Sequence, residues 1–202
     1  MGLITSAALE RVTHILRESA GVKTQIIASP AVLQAIVRAA EAMVQALVQG
    51  NKLLFFGNGG SAADAQHLTA EFTGRFVAKG RRPLPAMSLT ANTSSLTAIA
   101  NDFAFEDIFA RQLQALGQSG DVAIGISTSG RSPNVLKAVT VAKAARVTTI
   151  GLTGGDGGPL RSAADIVVVV PSHDTQRIQE AHIVIGHVWC ELVEHAYLAQ
   201  SR

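Results

Sequence analysis

The sequence predicts an α/β fold in which a parallel five-stranded sheet is flanked by helices and preceded by a helical arm. Three observations predict it. Apolar residues recur at helical spacing over roughly the first 50 positions, five short apolar runs follow, and four of those runs lead into helix-like sequence. Parallel strands need crossover connections, and helices supply them while covering both faces of the sheet.

The arm is read from Ala7 to about Gln49 as two helices. Ser29-Pro30 separates them, because Pro lacks an amide donor and is tolerated only at a helix start, and Gly50 ends the second. The strand candidates are KLLFF (52–56), PAMSL (85–89), VAIGIS (122–127), VTTIGLT (147–153) and DIVVVV (165–170). Gln176 to Gln200 reads as one long helix. With no repeat, low-complexity tract or Pro/Ser-rich linker, a single domain is expected over 1–202, with the arm at 1–50 and an α/β core at 51–202.

Composition narrows the function classes. At 48% apolar residues the 202-residue chain can bury a substantial core. Seventeen Lys and Arg against 15 Asp and Glu leave a net charge of +2, without the dense basic stripe of a nucleic-acid binder. The single cysteine, Cys190, rules out an internal disulfide and a multi-cysteine zinc site, and suits a reducing compartment. Runs such as ADIVVVVP and HIVIGHVW fall well short of the roughly 20 residues that span a bilayer, so no transmembrane segment is expected. The N-terminus carries Glu10 within its apolar pattern and reads as a helix start; MGLITS matches the loose myristoylation pattern only as short patterns do by chance.

In open parallel sheets ligands bind beyond the carboxyl ends of the strands, and three loops there share a chemistry. They are GNGGS (Gly57 to Ser61), STSGRS (Ser127 to Ser132) and GGDGG (Gly154 to Gly158). Glycine lets backbone approach an anion, and hydroxyls and helix N-terminal amides donate to it, so the first two loops are phosphate candidates. STSGRS is favoured, because its hydroxyls and Arg131 exceed what capping one helix requires. Gly57, Gly59 and Ala62 fit a dinucleotide fingerprint, yet the next strand candidate runs into SLTANTS with no acid for a ribose, and no Walker motif occurs. A small phosphorylated substrate and no nucleotide cofactor are expected.

His67 and Glu71 share a face of the helix opened by the first loop. Alone, they read as an ordinary exposed i,i+4 pair worth about a few tenths of a kcal/mol. Gln179 and His187 lie about two turns apart on the last helix, whereas His182, Glu191 and His195 read as structural or surface residues. Were the two helices to meet, carboxylate and imidazole could move a proton between adjacent carbons of a sugar through an enediol, or could ligate zinc.

GNGGSAADAQHLTAEFTGRF, LTANTSSLTAIANDF, ISTSGRSPNV, LTGGDGG and RIQEAHIVIGHVWCELVE, taken in order, resemble the phosphoheptose isomerases of the sugar isomerase (SIS) domain superfamily. The resemblance runs from about residue 30 into the last helix. It implies a flavodoxin-like SIS domain, assembled as a cytoplasmic homotetramer with sites between subunits. It also implies an aldose–ketose isomerase that converts sedoheptulose 7-phosphate to D-glycero-D-manno-heptose 7-phosphate at the start of bacterial heptose-nucleotide synthesis, for lipopolysaccharide or other surface glycans. By motif, Asn58, Gly59, Gly60, Ser61, Arg75, Asn101, Asp102 and Gln179 are expected at the sugar. Ser127, Thr128, Ser129 and Ser132 are expected at the phosphate. Glu71, also a substrate contact, and His187 form the implied acid/base pair, with His67, Glu71, Gln179 and His187 as ligands of one zinc per subunit. Arg131 stands where many relatives carry Asn, and Gln176 where some carry Asp. The alternatives are a non-catalytic SIS protein of the DnaA initiator-associating type and a phosphosugar-binding regulator; the former look to lack the residues matching Glu71 and His187.

Overall fold

The computed structural model describes residues 6–200, so the MGLIT part of the N-terminal motif lies outside the described residues. α1 (Ser6–Ile27) and α2 (Pro30–Val48) meet where the sequence predicts: Ser29 caps α2, its hydroxyl accepting from the Val32 amide at 3.4 Å, and Pro30 opens the first turn. Apart from Val22 and Ile26, α1 is not buried. α2 is long and apolar enough by length and composition to cross a membrane, although Gln34, Arg38 and Glu41 interrupt its apolar run. Its Ala35, Ile36, Ala39, Ala40, Met43 and Val44 lie in the core, with 44% of the apolar window buried.

The remaining elements alternate. They are β1 (Leu53–Gly57), α3 (Gly60–Thr73), β2 (Ala86–Ser88), α4 (Thr93–Asp102), a 3-10 turn (Phe105–Asp107) and α5 (Ala110–Leu116). Then come β3 (Val122–Ile126), α6 (Pro133–Ala144), β4 (Thr148–Gly154), α7 (Leu160–Ala163), β5 (Ile166–Val170) and α8 (Thr175–Gln200). All pairings are parallel, in the order β2-β1-β3-β4-β5, which is the flavodoxin-like arrangement. Successive side chains of β1 point to opposite faces. Leu53 and Phe55 enter a core with α2, α3 and α8, where the Trp189 indole donates to the Ile36 carbonyl at 3.1 Å. Leu54 and Phe56 enter the opposite core with α5 and α6. Both faces are thus covered, as the near-continuous apolar strands require.

Strand order decides where a ligand can sit. The chain leaves β1 for β2 on one side, and β3 lies on the other. The connections therefore diverge above β1 and β3, opening a crevice at their carboxyl ends.

Candidate active site

Two loops flank that crevice. The turn after β1 needs glycine, since a Cβ on Gly57 would lie 2.7 Å from the Ile126 carbonyl oxygen of β3 and 2.8 Å from the Ser61 Cβ. Ser61 is buried beneath the turn, whereas Gly59 and Gly60 are exposed. Across the crevice, Asn58 and Asn134 exchange two amide hydrogen bonds, both of 2.9 Å. Asn134 sits in the first turn of α6 and is buried, so this reciprocal pair ties the two loops together. Asn134 is a site residue missed from the sequence, although an Asn just after Ser132-Pro133 was a readable signal.

The loop after β3 places hydroxyls at the start of the twelve-residue α6. Ser127 and Ser132 lie hydroxyl to hydroxyl at 3.0 Å, and the Ser129 hydroxyl accepts from the Arg131 amide at 3.2 Å. Ser132 occupies the cap position of α6, but its hydroxyl accepts from no amide of the helix, so first-turn amides remain available to an anion. A cavity of about 270 Å³ adjoins this loop, lined by Thr128, Ser129, Arg131, Gly154, Asp156 and His173 among others. The Arg131 guanidinium pairs with Asp156 at 2.5 Å in solvent, and the Gln176 amide donates to Asp174 at the start of α8. His173 had no signal in the sequence beyond its position before α8.

α3 and α8 converge beside the first loop. His67 Nε2 lies 2.8 Å from His187 Nε2, although 120 positions separate them, and the rings meet edge to face at 5.1 Å. Glu71 Oε1 stands 3.6 Å from His67 Nε2, and the Phe76 ring packs 5.6 Å from His187. One imidazole must donate and the other accept, so the contact itself is a path for a proton. Gln179 reaches the same place: its amide nitrogen would lie 2.6 Å from a Cβ on Gly60, over the first turn of α3. Asp64, one turn before His67, was not singled out in the sequence; burial pushes its carboxyl up to about 6 against the pull of His67, and its Oδ2 has no partner.

Three expected residues stand apart in the protomer. Arg75 is exposed after α3, and Asn101 and Asp102, exposed at the end of α4, hydrogen-bond each other at 2.8 Å but none of the imidazole group. His182 is fully buried, its Nε2 facing the Thr153 carbonyl, and burial lowers it to about 4. Glu191 and His195 border an outer groove between α8 and the Val77–Ala78 segment. Burial and the Glu71 charge push the Cys190 thiol up to about 12, which makes it inert.

The donors His67, His187, Glu71 and Gln179 suit zinc chemically. As they stand, the two imidazole nitrogens are hydrogen-bonded and closer than the roughly 3.3 Å expected for two nitrogens on one tetrahedral zinc. Among the described residues no group of three His, Cys, Asp or Glu is arranged to hold a metal ion.

Residues 17–154 match the SIS domain family. The chain is 54% identical over 193 residues to the phosphoheptose isomerase of Aquifex aeolicus, covering 96% of this chain and all of the relative. Its fold superposes on the phosphoheptose isomerase of Neisseria gonorrhoeae with a TM-score of 0.86 at 43% identity, covering 93% and 98% of the two chains. The Francisella tularensis phosphoheptose isomerase gives a TM-score of 0.89 at 38% identity, covering 95% and 100%. The non-catalytic alternatives find no support in these likenesses.

Proposed function

Because the chain belongs to the SIS domain family and, within it, to the phosphoheptose isomerases, we propose that the crevice above β1 and β3 is the catalytic centre of an aldose–ketose isomerase acting on sedoheptulose 7-phosphate. The product is D-glycero-D-manno-heptose 7-phosphate. One observation carries the reading of the site: α3 and α8 bring His67 and His187 to 2.8 Å with Glu71 beside them, next to loops built for an anion.

Ser127, Thr128, Ser129, Ser132 and the first amides of α6 grip the phosphate, which extends the seven-carbon chain toward α3. Asn58, Gly59, Gly60, Ser61 and Gln179 hold the reactive end, with Arg75, Asn101 and Asp102 closing on the polyol. Glu71 removes a proton from C1 of the ketose while His187 donates one to the carbonyl oxygen at C2, giving the enediol. Glu71 then returns its proton to C2, and the C1 hydroxyl gives up its proton to His187 as the aldehyde forms. No electron leaves the substrate, and both groups end as they began. His67, bonded to His187 and near Glu71, fixes the tautomer and orientation of His187.

In the same proposal His67, Glu71, Gln179 and His187 would hold one zinc per subunit, the metal taking the place of the hydrogen bond between the two imidazoles. Bound there, zinc supplies Lewis-acid polarisation of sugar oxygens. A homotetramer with sites between subunits belongs to the proposal too. Its support is the exposed apolar side chains of Leu9, Val12 and Leu16 on α1, of Val37 on α2 and of Val184, Val188 and Leu192 on α8, which assembly would cover. An ionised phosphosugar does not cross a bilayer unaided, which favours a cytoplasmic enzyme opening heptose-nucleotide synthesis for surface glycans.

The test incubates purified protein with sedoheptulose 7-phosphate, with and without zinc chelation, and follows the aldose. Turnover is expected, with Glu71→Gln abolishing it while phosphosugar binding survives. An active Glu71→Gln variant removes Glu71 from the chemistry, and loss of binding in a folded Glu71→Gln protein removes the division between grip and proton transfer.

A further inference from the structure

A buried ion pair lies behind the catalytic groups and touches neither substrate loop. Arg81, in the segment between α3 and β2, and Glu194, on α8, meet at 2.5 Å with side chains only 2% and 4% exposed. Apart from a bond from Arg81 Nη1 to the neighbouring Arg82 carbonyl at 3.0 Å, their hydrogen bonds lead back toward the proposed acid/base groups. Arg81 Nη2 donates to the Glu71 carbonyl oxygen at 2.6 Å, and Nη1 donates to that of Phe72 at 2.9 Å. These are carbonyls of the last turn of α3, which lack partners within the helix. Glu194 accepts from the amides of Phe76, Val77 and Ala78 at 3.2, 2.8 and 2.6 Å, and so anchors the segment that lays Phe76 against His187. Glu194 also follows His187 by about two helical turns, which puts them on the same side of α8. Burial works to raise the Glu194 carboxyl, but Arg81 and the three amides overcome it and hold it below the usual carboxylate range.

We propose that Arg81 and Glu194 are positioning residues that lock the end of α3 carrying Glu71 to the stretch of α8 carrying His187, and so set the distance across which the proton moves. A hydrophobic pair of similar volume would fill the space, but it could not hold two carbonyls and three amides at once. Reaching Glu194 through Nε and the two carbonyls through Nη1 and Nη2 at once takes the fixed guanidinium fork, which Lys cannot reproduce. This inference rests on Glu71 acting as the base.

The experiment compares Arg81→Lys and Glu194→Gln with the wild type and places each also in a Glu71→Asp background, which keeps the carboxylate but draws it back. Thermal melts establish folding; if one variant does not fold, the other carries the test, since Glu194→Gln retains an acceptor oxygen for the amides. In the wild-type background kcat is expected to fall about 10- to 100-fold, the scale of a misplacement approaching 1 Å, with KM for sedoheptulose 7-phosphate within about twofold because the phosphate loop is untouched. In the Glu71→Asp background the further fall in kcat is expected to be much smaller, whereas the drop in melting temperature is the same in both. Equal fractional losses of kcat in the two backgrounds, or wild-type kcat in a folded variant, overturn the proposal alone. Full activity in Glu71→Gln overturns the assignment of the base, and the proposal with it.

Discussion

Gly186 stands next to His187 on α8, facing Leu68, which stands next to His67 on α3. A Cβ added at Gly186 would lie 2.6 and 2.8 Å from the two Leu68 methyls. Carbon–carbon contacts become comfortable near 3.5 Å, so the shortfall is roughly 1 Å. Leu68 is 1% exposed, so the packing around it leaves its methyls little room to withdraw. If half the shortfall is relieved by separation of the helices, the 2.8 Å contact between His67 and His187 lengthens to about 3.3 Å, the weak end of the hydrogen-bond range. Gly186→Ala should therefore lower kcat about 10- to 100-fold. Stability should change far less, because overpacking costs about 1–3 kcal/mol and Ala recovers about 1 kcal/mol of helix propensity over Gly. At about 2–4 °C per kcal/mol for a chain of this size, the melting temperature falls by at most about 8 °C. Kinetics with sedoheptulose 7-phosphate and a circular-dichroism melt measure both. Leu68→Val in the same chain should restore much of the lost kcat. Wild-type kcat in Gly186→Ala with a raised melting temperature would show that Leu68 yields and that this contact does not set the imidazole spacing.

Two other predictions address the scaffold. His182 is buried neutral, its pKa lowered to about 4 by burial against the opposing pull of the Thr153 hydrogen bond. Because the folded value is depressed below the unfolded 6.5, its contribution is intact above pH 6.5 and is lost as pH falls toward 4. At about 1.4 kcal/mol per unit, the loss approaches 3 kcal/mol. Urea melts at pH 7, 5.5 and 4.5 should show His182→Gln losing less stability on acidification than the wild type; parallel profiles would be the contrary result. Asn134→Leu leaves the Asn58 amide without its partner in a partly buried site, at a cost of about 1–3 kcal/mol. It should lower the melting temperature and raise KM for the phosphosugar through the loosened β1 loop, and an unchanged KM would mean the loop keeps its shape alone.

Much of this molecule was legible because it is local. KLLFF, VAIGIS, VTTIGLT and DIVVVV are strands within a residue of their expected bounds, the last only partly buried at the sheet edge, and Ser29-Pro30 divides the arm as a cap followed by Pro must. PAMSL shrinks to three residues on the edge of the sheet, where one neighbour instead of two supplies hydrogen bonds. The i,i+4 spacing of His67 and Glu71 was equally readable, but helix periodicity alone favoured an ordinary surface pair. What changes their meaning is His187, brought alongside by the packing of α8 on α3. No local pattern encodes that approach, nor the pairing of Asn58 with Asn134 or of Arg81 with Glu194, whose partners are 76 and 113 positions apart.

Strand order explains why the two kinds of chemistry differ in legibility. An anion grip needs only a strand end, glycines, hydroxyls and one helix start, all within a few consecutive residues, so STSGRS announces itself. Proton transfer needs groups on opposite sides of a carbon skeleton, which neighbouring positions on one helix cannot provide, since i and i+4 point the same way. The second group has to arrive from another element, and in the proposed site it arrives on α8, after β5 has completed the sheet. Once α8 docks, its Gln179 end lies over the start of α3 and its Glu194 end is bound through Arg81 to the finish of α3. His187 lies between those two attachments. A helix fastened at both ends holds its middle more firmly than either attachment would alone, and the middle is where a displacement approaching 1 Å separates a hydrogen-bonded pair from two isolated imidazoles.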